Sequence, residues 1–169
     1  LIDEQQIPLE QKEEKTEARR LEIYKEAYRK AFTEELEMQR AAKEEIEAYI
    51  ISIDLDAKVT QTLSMEELMD ITEKARPIFE KTQGLYARIK SIWTKPDFKT
   101  MPKEEQIELL ELMGYMASAM SCSKGFQDNF SGRAKGEAVN PIKSREEIKE
   151  NYMAECRAYL NSLQQERNS

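Results

Sequence analysis

Residues 9 to about 53 make a run of some forty-five positions without one Gly or Pro. Within it, apolar side chains fall at Leu21, Tyr24, Tyr28, Phe32, Leu36, Ala42, Ile46, Ile50 and Ile53. Steps of three, four or their sums mark one face of an α-helix. The Glu, Lys, Arg and Gln between them are good helix formers that stay solvated. At about 1.5 Å per residue this helix is roughly 65 Å long. A compact chain of this size is only about 40 Å across. The helix is therefore expected either to project from a body or to form the spine of an elongated one.

The 169 residues suit a single helical domain over 1–169, with a polar N-terminal segment at 1–20 that frays or waits for a partner. The chain begins at Leu1 rather than Met, so an upstream segment is expected to have been removed, by signal cleavage or by design. A charged fraction of 35% against 40% hydrophobic suits a thin helical bundle with much surface and little interior. Nearly all of the five Gly and five Pro lie after residue 76, against a sheet fold with many turns. With a net charge of −7 and no basic stripe, nucleic acid is not the expected partner. No apolar stretch is long enough to span a bilayer.

The first helix should end near Asp54 to Lys58. Ser64-Met65-Glu66-Glu67 reads as a capping box opening a second helix, with Leu68, Ile71, Ala75, Ile78, Phe79, Leu85, Ile89, Ile92 and Trp93 on one face. Pro77 lies inside that helix, so a kink or break is expected near Arg76. A third helix starts around Met101-Pro102, and its segment from Ile107 to Met120 is apolar most of the way round, as a central helix is. Gly114, Ala117, Ser118 and Ala119 there leave room for a close neighbour. Gly125 is the expected C-cap, with an ordered loop over 126–143. Ser144-Arg145-Glu146-Glu147 then caps a last helix carrying Ile148, Tyr152, Cys156, Tyr159, Leu160 and Leu163. The fold class is all-α: an elongated bundle with a very long first helix, a Pro-kinked second helix antiparallel to it, and a shorter C-terminal pair.

Histidine is absent. That removes the commonest general base and neutral metal ligand, and with it Ser-His-Asp and Cys-His catalysis. No GxxxxGK[ST], GxGxxG or HExxH string occurs. The acidic clusters Glu13-Glu14-Glu17, Glu34-Glu35-Glu37 and Glu44-Glu45-Glu47 sit mostly off the apolar stripe and read as solvated faces. No enzyme activity, cofactor or metal is expected. Asn129-Phe130-Ser131 fits a glycosylation sequon, a short pattern with many chance matches.

Cys122 and Cys156 are candidates for a disulfide between the last two helices. Closing a loop of that length contributes roughly 4 kcal/mol in the chain-entropy model, and a bridge would point to an oxidising, periplasmic or secreted setting. The alternative is two separate buried thiols in a cytoplasmic protein. Candidate partner contacts are Tyr24 and Tyr28 on the long helix, and Met113, Met116 and Met120 if they line a groove. The expected function is protein binding: a scaffold component of a bacterial envelope or secretion assembly, with the long helix as contact surface. A helical chaperone or cytosolic adaptor holding clients on the Met/Tyr groove is the alternative.

Overall fold

The computed structural model describes residues 8–168; the start of the polar segment, 1–7, lies outside them. Every regular element among the described residues is helical: α1 (Leu9–Ser52), α2 (Leu55–Val59), α3 (Met65–Trp93), α4 (Lys103–Ala134) and α5 (Arg145–Asn168), with a 3₁₀ turn at Pro96–Thr100. The chain divides into two units, 1–36 and 37–169, with the boundary inside α1.

In the first unit, helix begins at Leu9. The side chains from Leu9 to Ala31 are exposed, except for half-buried Tyr28. Thr16 Oγ1 donates to Lys12 O at 2.9 Å and Thr33 Oγ1 to Arg29 O at 3.0 Å, so both hydroxyls turn back onto their own helix.

The second unit is an up-down-up-down four-helix bundle. Its register is set by pairs between helices. Gln39 Nε2 donates to Leu85 O, Lys81 pairs with Glu45, and Tyr49 OH donates to Lys74 O, so α1 and α3 run antiparallel. Arg40 with Glu108 and Glu47 with Tyr115 are each 68 positions apart, so α1 and α4 run parallel. Tyr86 with Tyr152 and Trp93 with Tyr159 do the same for α3 and α5. As its composition predicts, α4 is central, with Leu109, Leu110, Met116, Ala119, Cys122 and Phe126 wholly buried.

Each helix end has a local cause. α1 stops at Ser52, slightly before the expected Asp54 to Lys58, because Asp54 adopts the left-handed conformation (φ 55°), which Asp tolerates better than most residues. Ser64 and Glu67 form the predicted capping box. The predicted break at Pro77 does not occur: α3 is continuous. Pro77 lacks the N–H that would serve the Glu73 carbonyl. Glu73, Arg76, Pro77 and Glu80 are all exposed, so water can serve it instead.

The predicted C-cap at Gly125 and loop over 126–143 are also corrected. α4 runs on to Ala134, and the connection is 135–144. Gly136 (φ 73°) is the left-handed residue that ends α4. Glu137 N donates to Gly132 O at 2.8 Å and Gly136 N to Arg133 O at 3.1 Å, the paired bonds of a Schellman cap. Gly125 serves side-chain room: a Cβ there would lie 3.2 Å from Ile142. At Gly114 a Cβ would meet Met153 Sδ at 2.9 Å, the predicted close approach, and at Gly132 it would meet Val139 at 2.5 Å. One face of α4 is thus bare wherever the returning chain crosses it.

Candidate functional site

A half-buried charge network that joins several helices of the bundle is centred on Arg145. Ser144 Oγ accepts the Glu147 N–H at 3.1 Å, fixing the start of α5 and placing Arg145 in its first turn. From there the guanidinium forks. Nε and Nη2 donate to Asp56 Oδ1 and Oδ2 at 2.8 and 2.6 Å, and Nη1 and Nη2 to Glu47 Oε2 and Oε1 at 2.8 and 3.2 Å. Tyr115 OH donates to Glu47 Oε2 at 2.5 Å. The Tyr115 ring has the Lys43 ammonium 5.0 Å from its centroid and the Arg145 guanidinium carbon 5.8 Å away. Four helices meet at this node, held by two bidentate pairs of the geometry arginine forms best.

The electrostatics are those of fixed charge. Hydrogen bonds from Arg145 hold the Glu47 and Asp56 carboxyls below their ordinary range. Burial works against the Arg145 charge, but its bonds to Asp56 and Glu47 outweigh that and raise its pKa. Burial, then the bond to Glu47, raises the Tyr115 phenol. Glu47, Asp56 and Arg145 are held charged and Tyr115 is held as the neutral phenol, so none of them is tuned toward pH 7 as a general acid or base requires. The node orders α1, α2, α4 and α5. Sequence reasoning missed it, because Arg145 looked like one more charge in a capped first turn. Its partners lie 89 and 98 positions away.

Of the three acidic clusters, Glu47 alone joins this node, while Glu13, Glu14, Glu17, Glu34, Glu37, Glu44 and Glu45 are exposed. Among the described residues no group of three or more Cys, Asp or Glu is placed to hold a metal ion. Asn129 lies on α4, and its amide nitrogen donates to Asn140 O at 2.8 Å, so the sequon nitrogen is engaged.

The predicted disulfide is not formed: Cys122 and Cys156 are both free and buried. The register explains it. Gly114 faces Met153 and Gly125 faces Ile142, which puts Cys122 level with Arg145. Cys156 lies eleven residues further along α5, about 16 Å at the helical rise. A disulfide needs Cα atoms within about 7 Å. The predicted Met-lined groove is corrected as well. Met113 and Met116 are core residues, and Met120 is half-buried. Tyr24 is exposed on α1, and Tyr28 is half-buried one turn on.

Two surface concavities accompany the node. An open cleft of about 660 Å³ lies where the end of α4 faces the 137–143 segment and α5. A groove of about 700 Å³ runs between α1 and α4, floored by Ala48, Ile51 and Leu112. No helix among the described residues is long and apolar enough to cross a membrane. Compared with known protein families, curated proteins and solved structures, the chain matches none.

Proposed function

We propose that this chain is a non-catalytic protein-binding or scaffold component whose contact surface is the 9–36 part of α1. The carrying observation is the exposure of Leu21 (53%) and Tyr24 (55%) on one face of that helix. Tyr28 continues the face at the i, i+3, i+7 spacing by which a helix is read in a groove. A helix with so little of its surface packed gains almost nothing from burial, the usual source of helix stability in proteins. A partner that covers the Leu21/Tyr24 face would supply it. The envelope or secretion setting drew on the cysteine bridge, and two separate buried thiols lend it no support, so the proposal is confined to binding.

The test is a Leu21→Glu/Tyr24→Glu double variant, used as bait in extracts of the native host beside the unchanged chain. Partners retained by the unchanged chain should be lost, with the melting curve of the bundle unmoved. Equal recovery by both baits would refute the assignment of the surface.

A further inference from the structure

The last helix is attached to the bundle unevenly. Of the α5 side chains among the described residues, only Cys156 and Leu163 are buried. α4, by contrast, is buried without interruption from Leu112 to Ala119. The packing along α5 is also incomplete. Trp93 Nε1, on the indole in edge contact with the Tyr159 ring, is buried with no hydrogen-bond partner among the described residues. A buried donor left in that state costs stability. A gap of about 170 Å³ lies between Lys103 and Gln106 of α4 and Leu160, Leu163 and Gln164 of α5.

The two ends of α5 are held with different strength. At the far end Lys99 pairs with Glu166 at 3.2 Å, and Lys103 Nζ donates to Gln164 at 3.3 Å. The Lys99 pair has side chains 52% and 58% exposed, and pairs so placed contribute little. At the near end the Arg145 guanidinium forks to Glu47 and Asp56. Just before it the chain is pinned to α4: Val139 lies against Gly132, Ile142 lies against Gly125, and Asn140 O accepts the Asn129 amide.

We infer that α5 is a strap that opens as a unit about Lys143 and Ser144, with Arg145 as its latch. In the open form 139–142 stays on α4 and the other helices keep their packing. Tyr86, Trp93 and Gly114 then lose the cover of Tyr152, Tyr159 and Met153. Elements with few buried apolar contacts are the ones that open below the free energy of global unfolding. Packing supplies most helical stability, so the released helix melts and its amides become exchangeable. The device concerns a different part of the chain from the 9–36 surface and does not depend on the role proposed for it.

The experiment is amide hydrogen exchange of the full chain, read by mass spectrometry at urea concentrations below the unfolding transition. Cys156, buried midway along α5, is a second reporter: its labelling by a thiol reagent is followed in the same series, with the modified peptide identified. The α5 amides and the Cys156 thiol should open at least about tenfold more often than the α3 and α4 amides, as a low-stability unit does. Their urea dependence should be shallower, because less surface is exposed. Arg145→Met should raise both α5 signals about tenfold or more, since it abandons two carboxylates. Asp56→Asn, which weakens one arm of the fork, should raise them by less. Arg40→Met, which breaks a pair outside α5, should leave them unchanged. If α5 and Cys156 open at the rate and urea dependence of α3 and α4, the helix leaves only with the whole bundle and the inference is overturned. A shallow α5 opening that neither Arg145→Met nor Asp56→Asn moves overturns the latch. Should Arg145→Met not fold, the unchanged chain and Asp56→Asn still decide.

Discussion

Replacing Arg145 with Met removes the fork while keeping chain length and helix propensity. Leaving buried charges without their counter-ion costs about 3–5 kcal/mol, whereas breaking a surface pair costs about 0–1 kcal/mol. The Arg145 side chain is only 13% exposed, but Glu47 and Asp56 are 38% and 55% exposed and regain water once abandoned. The loss should therefore fall between the limits, at about 2–3 kcal/mol, or about 5–10 °C in midpoint for a chain of this size. Arg40→Met is the internal control: its pair with Glu108 has side chains 52% and 32% exposed and should cost less than about 1 kcal/mol. Urea unfolding followed by circular dichroism measures both. The pH dependence has a fixed sign. Glu47 and Asp56 titrate lower in the folded chain than in the unfolded one. Their contribution is therefore complete above about pH 4, the unfolded range, and is lost as pH falls through the lowered native values. Arg145→Met should flatten that acid limb. A cost equal to that of Arg40→Met, with an unchanged acid limb, would refute the view that this node orders the bundle.

The remaining predictions concern the backbone and the thiols. Gly84→Ala should stabilise by up to about 1 kcal/mol in urea unfolding, since nothing lies within 4 Å of the new methyl and Ala is the better helix former. Gly132→Ala should destabilise by about 1–3 kcal/mol in the same assay, because Val139 is short and branched and cannot swing away from a Cβ 2.5 Å distant. Pro77→Ala should raise stability by about 1–3 kcal/mol by restoring the bond to Glu73 without altering the buried face of α3. Both cysteines should be recovered as free thiols in the intact mass of the native protein. Cys122, whose thiol burial pushes up to about 12, should react with a thiol reagent only after unfolding.

Much of this architecture was legible along the chain, because helix periodicity and the Ser64 capping box are local signals. The all-round apolar run from Ile107 to Met120 likewise marked α4 as central. The errors came from features whose meaning depends on a neighbour. Gly125 resembles a C-cap until Ile142 is seen against it, and of the kink or break that Pro77 suggests, only the break is removed by the continuity of α3. The cysteine pair and the methionines failed for the same reason. Matching Cys122 to Cys156 needed the register of α4 and α5, which the misplaced helix end had shifted. Met113 and Met116 fit either a core or a groove along the sequence, and only the packing of α1, α3 and α5 around α4 places them in the core. The Arg145 fork joins residues about ninety positions apart, and no local spacing announces it. Tyr24 needed only periodicity and is exposed on the face where periodicity put it.

The role given to the long helix is tested most directly by a photo-crosslinking scan. A benzophenone side chain is placed at each position from 18 to 31 of the full chain, one at a time, and adduct yield is measured in the native host. The yield should rise and fall with the helical period, with maxima at positions 21, 24 and 28 and minima at 22, 26 and 30. A flat profile, or maxima on the opposite face, would contradict it.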